Sequence, residues 1–168
     1  MDAMSFIAMA AACAPLVDSG TAQALVHVES AFNANAIGVV GGRLERQPRT
    51  PGEATSTART LQANGWNFSV GLAQINLRNF DRLGLTIETA FEPCSNLQAM
   101  QILLLDCFKR ANKAGSGEER SLRRALSCYY SGNFTTGFEH GYTRRVVQAA
   151  TSPAPRPQPS LHSTKEAT

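Results

Sequence analysis

The sequence predicts a mainly α-helical domain with at most a small β-hairpin. Apolar residues recur at helical spacing in five or six segments, and glycine- or proline-containing breaks separate these segments. The length of 168 residues suits one domain with a sizeable core. Apolar residues make up 43% of the chain and charged residues 17%, a balance typical of globular proteins and not of disordered ones.

Capping residues and glycines place the helix ends. Asp18 or Ser19 caps a helix that ends at Ser30, and Thr50 with Pro51 begins another. The predicted helices cover residues 5–13, 20–30, 51–64, 96–110, 122–131 and 136–150. Capping boxes or single caps at Ser95 and Ser121 open the fourth and fifth of them. The expected burial stripe of the last helix is Phe138, Tyr142, Val146 and Ala149. The expected hairpin strands are 39–40 and 43–45.

The chain divides into a globular domain over residues 1–150 and a proline-rich tail over residues 151–168. Four prolines fall within eight residues from Ser152, and a polar end follows them. A segment of this composition cannot bury enough apolar surface to offset its chain entropy. We therefore expect the tail to act as an extended spacer.

Charge and hydropathy disfavour nucleic acid as a partner and a helix that spans a membrane. The net charge is +3, and the arginines are scattered instead of forming a basic stripe with interleaved aromatic residues, so nucleic acid is not an expected partner. No apolar run approaches the roughly 20 residues that span a membrane. The short apolar stretch from Phe6 to Ala14 has no basic residue before it, so it is predicted to be a first helix and not a signal peptide.

Glu29 is the candidate catalytic residue. Ala22, Leu25, Val26, Glu29 and Phe32 fall on one helical stripe, and the other four are apolar. Burial there, near the negative end of the helix dipole, raises the pKa of a carboxyl group, which suits a general acid. The competing interpretation is a helix-end glutamate that bends out into water.

Two further blocks accompany Glu29 and Ser30. The stretch from Gly71 to Asn76 is apolar except for two amides, which need partners in a protein or a ligand. The stretch from Ala125 to Asn133 completes the series. These three blocks, in this order, resemble the lysozyme-like lytic transglycosylases, and most closely the VirB1-like branch attached to type IV secretion systems. The resemblance runs from about Cys13 to Val147.

The resemblance implies a goose-type (SLT) lysozyme-like fold that cleaves peptidoglycan strands between N-acetylmuramic acid and N-acetylglucosamine and leaves a 1,6-anhydro end. Glu29 would be the acid and base, and Ser30 would orient it or bond to it. Gln74 and Asn76 would contact the glycan, and Tyr129 would fall on the family's catalytic-side tyrosine. No cofactor is implied, and the expected location is the periplasm or cell envelope.

The chain departs from the family pattern at two positions. Tyr130 stands where asparagine usually follows the tyrosine, and Ala73 stands where methionine is commoner. Both departures bear on substrate positioning and not on the glutamate. Tyr129 itself also fits a simple core tyrosine whose hydroxyl finds a buried partner.

The four cysteines fit disulfides better than a metal site. Their spacings, and those of His27, His140 and His162, match no metal pattern. Cys94 and Cys107 lie at opposite ends of a helical segment, which rules out a bond between them and leaves two connectivities. The favoured one is Cys13–Cys94 with Cys107–Cys128, which needs an oxidising compartment. The alternative is four buried free thiols.

Two other functions compete with a lytic transglycosylase. A water-using muramidase on the same scaffold would differ in its product, and a non-catalytic peptidoglycan-binding scaffold of a secretion machine would not need Glu29. A cysteine–histidine hydrolase is disfavoured, because no cysteine lies in a glycine-rich elbow or at a helix start near a histidine.

Overall fold

The computed structural model describes residues 3–112 and 117–151. Of the predicted tail over residues 151–168, all but Thr151 lies outside the described residues, as does the centre of the predicted loop after the longest helix. The described elements, in chain order, are α1 (Ala3–Cys13), α2 (Ser19–Ser30), β1 (Ile37–Val39), α3 (Pro51–Ala63), β2 (Phe68–Val70), β3 (Ile75–Asn76), a 3₁₀ turn (Leu77–Asn79), α4 (Phe80–Leu83), α5 (Ile87–Phe91), α6 (Pro93–Asn112), α7 (Glu118–Ser131), α8 (Thr136–Glu139) and α9 (Tyr142–Thr151). The mainly helical fold class is therefore confirmed.

Helices α2, α6, α7 and α9 build the framework around the core. Helix α6 packs along α7, and α2 lies between α1 and α9. The apolar face of α2 is buried through Ala22, Leu25 and Val26, because these residues recur on one side of the helix. The Asp18 carboxylate caps α2 by accepting a hydrogen bond from the Thr21 backbone N–H at 2.9 Å, as the sequence predicts.

A small antiparallel sheet of three strands, in the order β1–β2–β3, covers one side of this framework. Ile37 lies opposite Val70 across the first pair of strands, and Val70 lies opposite Ile75 across the second. These three side chains are buried, whereas Ser69 points away from the core between two buried neighbours. Asn76 lies opposite Ser69, so the sheet presents these two polar side chains on its outer face.

The predicted hairpin is wrong in its position. Residues 40–45 form a turn and an irregular segment, and β1 pairs with β2, which follows the whole of α3. Val39 ends β1, but Val40 lies in the turn that follows and is 56% exposed, so the apolar pair marked the end of a strand and not its course. Only a pairing partner about 30 residues away in sequence defines the real strand, and a local pattern does not contain that information.

The largest differences from the predicted helix bounds concern α6, α7 and the last helix. Helix α6 begins at Pro93, since proline suits a first helical position, and α7 begins at Glu118, after Gly117. The predicted last helix is two helices, because Gly141 adopts a left-handed φ of +68° between α8 and α9. Phe138, on the short α8, is 45% exposed and not buried as predicted.

Two disulfides cross-link the helices. Cys13 at the end of α1 bonds to Cys94 at the start of α6, and Cys107 of α6 bonds to Cys128 of α7. This is the pairing that the sequence favours. Within the described residues, no helix is both long enough and apolar enough to cross a bilayer.

Candidate active site

A cleft of about 600 Å³ lies between the sheet and the carboxyl end of α7. Gly38, Ser69 and Asn76 come from the sheet, while Tyr129 and Gly132 come from the end of α7. The end of α2 also reaches the cleft and supplies its acidic residue. The geometry is that of a groove between the sheet and the ends of two helices, α2 and α7.

Glu29 is the only acidic side chain among the described residues that line this cleft. It occupies the last turn of α2, which stops where Ala31 and Phe32 both take positive φ angles. Burial raises the pKa of the Glu29 carboxyl from 4.5 to about 7, against the opposing effects of a hydrogen bond and of the Arg145 charge. At neutral pH this group therefore exists in both protonation states, as an acid–base catalyst requires.

The hydrogen bond to Glu29 comes from a residue that sequence reasoning assigned only to the core. The Tyr142 hydroxyl donates to Glu29 Oε1 at 2.6 Å from α9, and Tyr142 is only 2% exposed. Burial, and then the negative charge of Glu29, hold the pKa of the Tyr142 phenol well above its usual range, so the phenol is a donor. A tyrosine on an apolar stripe must find a partner for its hydroxyl, and this signal was available in the sequence.

Ser30 fixes the loop beside the cleft and not the carboxylate of Glu29. Its hydroxyl donates to the Leu72 carbonyl at 2.7 Å and reaches the Val26 carbonyl at 3.3 Å. Ser30 does not line the cleft. The structure therefore gives it a place in joining α2 to the Gly71–Gln74 loop.

Tyr129 holds the same loop from α7. Its hydroxyl donates to the Ala73 carbonyl at 2.7 Å, while its ring lines the cleft. Burial, together with the negative charge of Glu29, raises the pKa of the Tyr129 phenol well above its usual range. Tyr129 and Glu29 thus share one low-polarity environment, but the hydroxyl of Tyr129 bonds to the backbone.

Asn96 is the third anchor of the loop, and sequence reasoning missed it because this position was treated only as the first residue of the predicted helix 96–110. Its side-chain oxygen accepts from the Ala73 N–H at 2.8 Å, and its amide donates to the carbonyls of Val70 at 3.0 Å and Ala90 at 2.7 Å. Asn96 is fully buried. Only glycine fits at Gly71, because φ there is +79° and a Cβ atom would collide with the Asn96 amide.

Gln74 and Asn76 both line the cleft, and each has contacts inside the protein. The Gln74 amide donates to the carbonyls of Gly71 at 3.0 Å and Ala36 at 3.2 Å. The Asn76 amide donates to Ser69 Oγ at 3.2 Å. A Cβ atom at Gly38 would lie 2.7 Å from Gln74 Oε1, so glycine leaves room for this side chain at the cleft wall.

The described residues contain no group of three or more histidine, cysteine, aspartate or glutamate side chains that could hold a metal ion. The polar groups of the cleft are instead one carboxyl, amides, hydroxyls and the guanidinium of Arg78. This set suits an uncharged or weakly charged polar ligand with many hydroxyl groups.

A helical framework, a small antiparallel sheet and a partly buried glutamate in the cleft between them define the lysozyme-like class of fold. The chain matches the family described as Transglycosylase SLT domain over residues 6–150, and it belongs to that family.

Three relatives extend this finding. The chain is 49% identical over 151 residues to the "Type IV secretion system protein virB1" of Brucella abortus biovar 1, which covers 86% of this chain and 63% of the relative. It is 40% identical over 140 residues to "Protein virB1" of Agrobacterium fabrum, covering 82% and 56%. It is 37% identical over 157 residues to "Protein virB1" of Rhizobium radiobacter, covering 92% and 64%. The chain thus spans less than two thirds of the length of these relatives. No solved structure matches it significantly.

Proposed function

We propose that this protein is a peptidoglycan lytic transglycosylase that cleaves the bond between N-acetylmuramic acid and N-acetylglucosamine and leaves 1,6-anhydro ends. One observation carries the proposal: Glu29 is the single carboxyl among the described cleft residues, and its pKa is about 7. Membership of the Transglycosylase SLT domain family supports the same reaction class.

A single carboxyl group limits the chemistry. Glycosidases that use two carboxyl groups place them roughly 5–5.5 Å apart when they retain configuration and roughly 6.5–9.5 Å apart when they invert it. Here Glu29 would first protonate the glycosidic oxygen, and the acetamido group of the substrate would assist departure of the leaving sugar. The Glu29 carboxylate would then take the proton from the C6 hydroxyl as that oxygen attacks C1. The sugar ring closes on itself, and no water is consumed.

The other cleft residues would hold the glycan. Ser69, Gln74 and Asn76 carry hydroxyl and amide groups along the sheet side, opposite Tyr129. Ser30 holds the loop that carries Gln74 through its hydrogen bond to the Leu72 carbonyl, so its role is to position this loop. A preformed site of this kind orients the scissile bond against Glu29 without a rearrangement of the loop.

The names of the relatives support a cellular context. Brucella abortus virB1 is described as a type IV secretion system protein, and we propose that this protein remodels the cell wall locally for such a machine. Two disulfides fit an oxidising compartment, which supports the periplasm or cell envelope as the proposed site of action.

The test is digestion of purified peptidoglycan, with the products analysed by mass spectrometry in water enriched in heavy oxygen. We expect muropeptides with anhydro ends, each one water lighter than a hydrolysis product and free of the heavy isotope. Glu29→Gln should lower the rate by roughly 10²–10⁴-fold, because the amide cannot donate a proton on demand. Glu88→Gln is the matched control, since Glu88 lies outside the cleft in a surface ion pair with Arg59.

Two results would contradict the proposal. Reducing ends that carry the heavy isotope would identify a water-using muramidase. An absence of cleavage by the wild-type protein, together with binding to peptidoglycan, would identify a non-catalytic scaffold.

A further inference from the structure

Tyr130 is an exposed aromatic residue on the wall of the cleft. It follows Tyr129 at the end of α7, but its ring is 42% exposed and its hydroxyl does not reach the Gly71–Gln74 loop. The sequence also marks this position as a departure from the family pattern. Tyr130 therefore does not share the loop-anchoring role of Tyr129, although both lie near the Glu29 carboxyl.

The ring of Tyr130 is held in place by two contacts. It stacks on the ring of Tyr142, with centroids 4.6 Å apart and planes inclined by 18°. Its hydroxyl lies 3.2 Å from His140 Nδ1, and the two rings meet edge to face at 5.9 Å. His140 follows α8, so Tyr130 joins the end of α7 to the start of α9.

The ring that Tyr130 covers belongs to the partner of Glu29. Tyr142 is 2% exposed and donates the 2.6 Å hydrogen bond to the Glu29 carboxyl. The Arg145 guanidinium also lies over the Tyr142 ring, 6.0 Å from its centroid. Since Tyr130 is much more exposed than Tyr142, the outer ring separates the inner ring from the solvent of the cleft.

We propose that Tyr130 is a positioning residue, which by stacking on Tyr142 shields the Tyr142–Glu29 pair from cleft water and holds it in place for the reaction. The catalytic role of the Tyr142–Glu29 pair rests on the proposed function, whereas the stacking of Tyr130 on Tyr142 does not depend on it. His140 keeps the shielding ring in place by its contact with the Tyr130 hydroxyl.

The consequence for Glu29 follows from the cause of its altered pKa. Burial is the largest effect and raises the pKa to about 7, while the Tyr142 hydrogen bond and the Arg145 charge lower it. Tyr129 of α7 also interacts electrostatically with Glu29, and Arg78 lines the same cleft. Removal of the Tyr130 ring deletes none of these four groups but admits water to the Glu29 carboxyl, so the pKa should fall.

The test is a carbon-13 NMR titration of protein labelled at glutamate carboxyl groups, with the Glu29 signal assigned by its loss in Glu29→Gln. We expect Tyr130→Ala and Tyr130→Asn to lower the Glu29 pKa by about half a unit or more. Tyr142→Phe should instead raise the Glu29 pKa, because it deletes a hydrogen bond that lowers this pKa. The alkaline limb of the pH–activity profile should move to lower pH in both Tyr130 variants.

Phe138→Ala is the matched control, since Phe138 is 45% exposed and lies on the neighbouring helix α8. It should leave the Glu29 pKa unchanged. His140→Ala should lower the pKa less than Tyr130→Ala does, since the stacked ring remains. An unchanged or raised pKa in both Tyr130 variants, with near-ultraviolet circular dichroism showing an intact fold, would overturn the proposal. The titration needs no enzymatic activity, so a failure of the proposed function would be seen separately.

Discussion

The Glu29 carboxyl is buried, although its charged form is more stable in water. Its place at the end of an apolar stripe buries the carboxyl, and burial disfavours the charged form. Tyr142 and Arg145 favour the charged form, but their combined effect is smaller, so the pKa settles at about 7. Ionisation of this carboxyl therefore lowers the free energy of unfolding.

The pH dependence of stability should report that cost. The Glu29 pKa is about 7 in the folded protein and 4.5 for an unperturbed glutamate, so between these values the folded state binds more protons than the unfolded state. The free energy of unfolding therefore falls as the pH rises from about 4.5 to about 7, by at most about 3 kcal/mol from this group. Glu29→Gln should remove this contribution.

The measurement is denaturant unfolding of the wild type and of Glu29→Gln across pH 4 to 8. We expect the variant to gain stability relative to the wild type as the pH rises through this window. A difference that stays constant with pH would show that Glu29 titrates normally. Glu88→Gln serves as the control here as well, because hydrogen bonds from its own backbone N–H, from Thr86 and from Arg59 hold the pKa of Glu88 below its usual value, so Glu88 titrates below the pH window in which Glu29 does.

At the scale of elements, the Gly71–Gln74 loop depends on side chains from three helices. Ser30 of α2, Asn96 of α6 and Tyr129 of α7 bond to its backbone or to the residue before it. These anchors place Gln74 in the cleft across from Glu29 without a regular element of its own. The position of the loop is therefore set by these helices.

Asn96→Leu should destabilise the protein by about 2–5 kcal/mol, because it leaves buried backbone groups of Val70, Ala73 and Ala90 without their partner. Urea unfolding measures this loss. Asn64→Ala is the control: Asn64 is exposed, and its amide bonds only to the Thr60 carbonyl one turn back, so a change of under about 1 kcal/mol is expected. Equal losses in the two variants would show that Asn96 does not anchor the loop.

The sequence predicted those parts of the fold that local patterns encode. The caps at Asp18 and Thr50 and the apolar stripe of α2 were correct, because each depends on residues within one or two turns. The strand pairing, the loop contact of Asn96 and the Tyr142 bond to Glu29 were not predicted. The last of these joins residues 113 positions apart, and no local periodicity encodes such a distance.

The candidate site shows the same division. Motif order placed Glu29, Gln74, Asn76 and Tyr129 together, and the structure brings all four to one cleft. The order of motifs does not distinguish a side chain that faces the cleft from one that holds the cleft wall in place. Ser30 was therefore expected to bond to the glutamate, whereas its hydroxyl bonds to Leu72. That distinction depends on which way a helix end faces, which only the packed structure defines.

At the scale of the whole molecule, the two disulfides constrain different lengths of chain. Cys13–Cys94 closes a loop with a sequence separation of 81 and ties α1 to the start of α6. Cys107–Cys128 closes a separation of 21 and joins α6 to α7. The first bond encloses α2, the sheet and the Gly71–Gln74 loop, whereas the second reinforces two helices that already pack along each other.

Loop-closure entropy predicts unequal losses when each bond is removed. The paired replacement of Cys13 and Cys94 by serine should cost about 4–5 kcal/mol, and that of Cys107 and Cys128 about 3 kcal/mol, because the longer loop gains more freedom in the unfolded chain. Guanidinium unfolding of both variants, next to wild-type protein with and without reductant, gives the comparison. Titration of the denatured, unreduced wild type should find no free thiol. A larger loss for the Cys107–Cys128 variant would show that packing between α6 and α7, and not chain entropy, dominates the contribution of that bond.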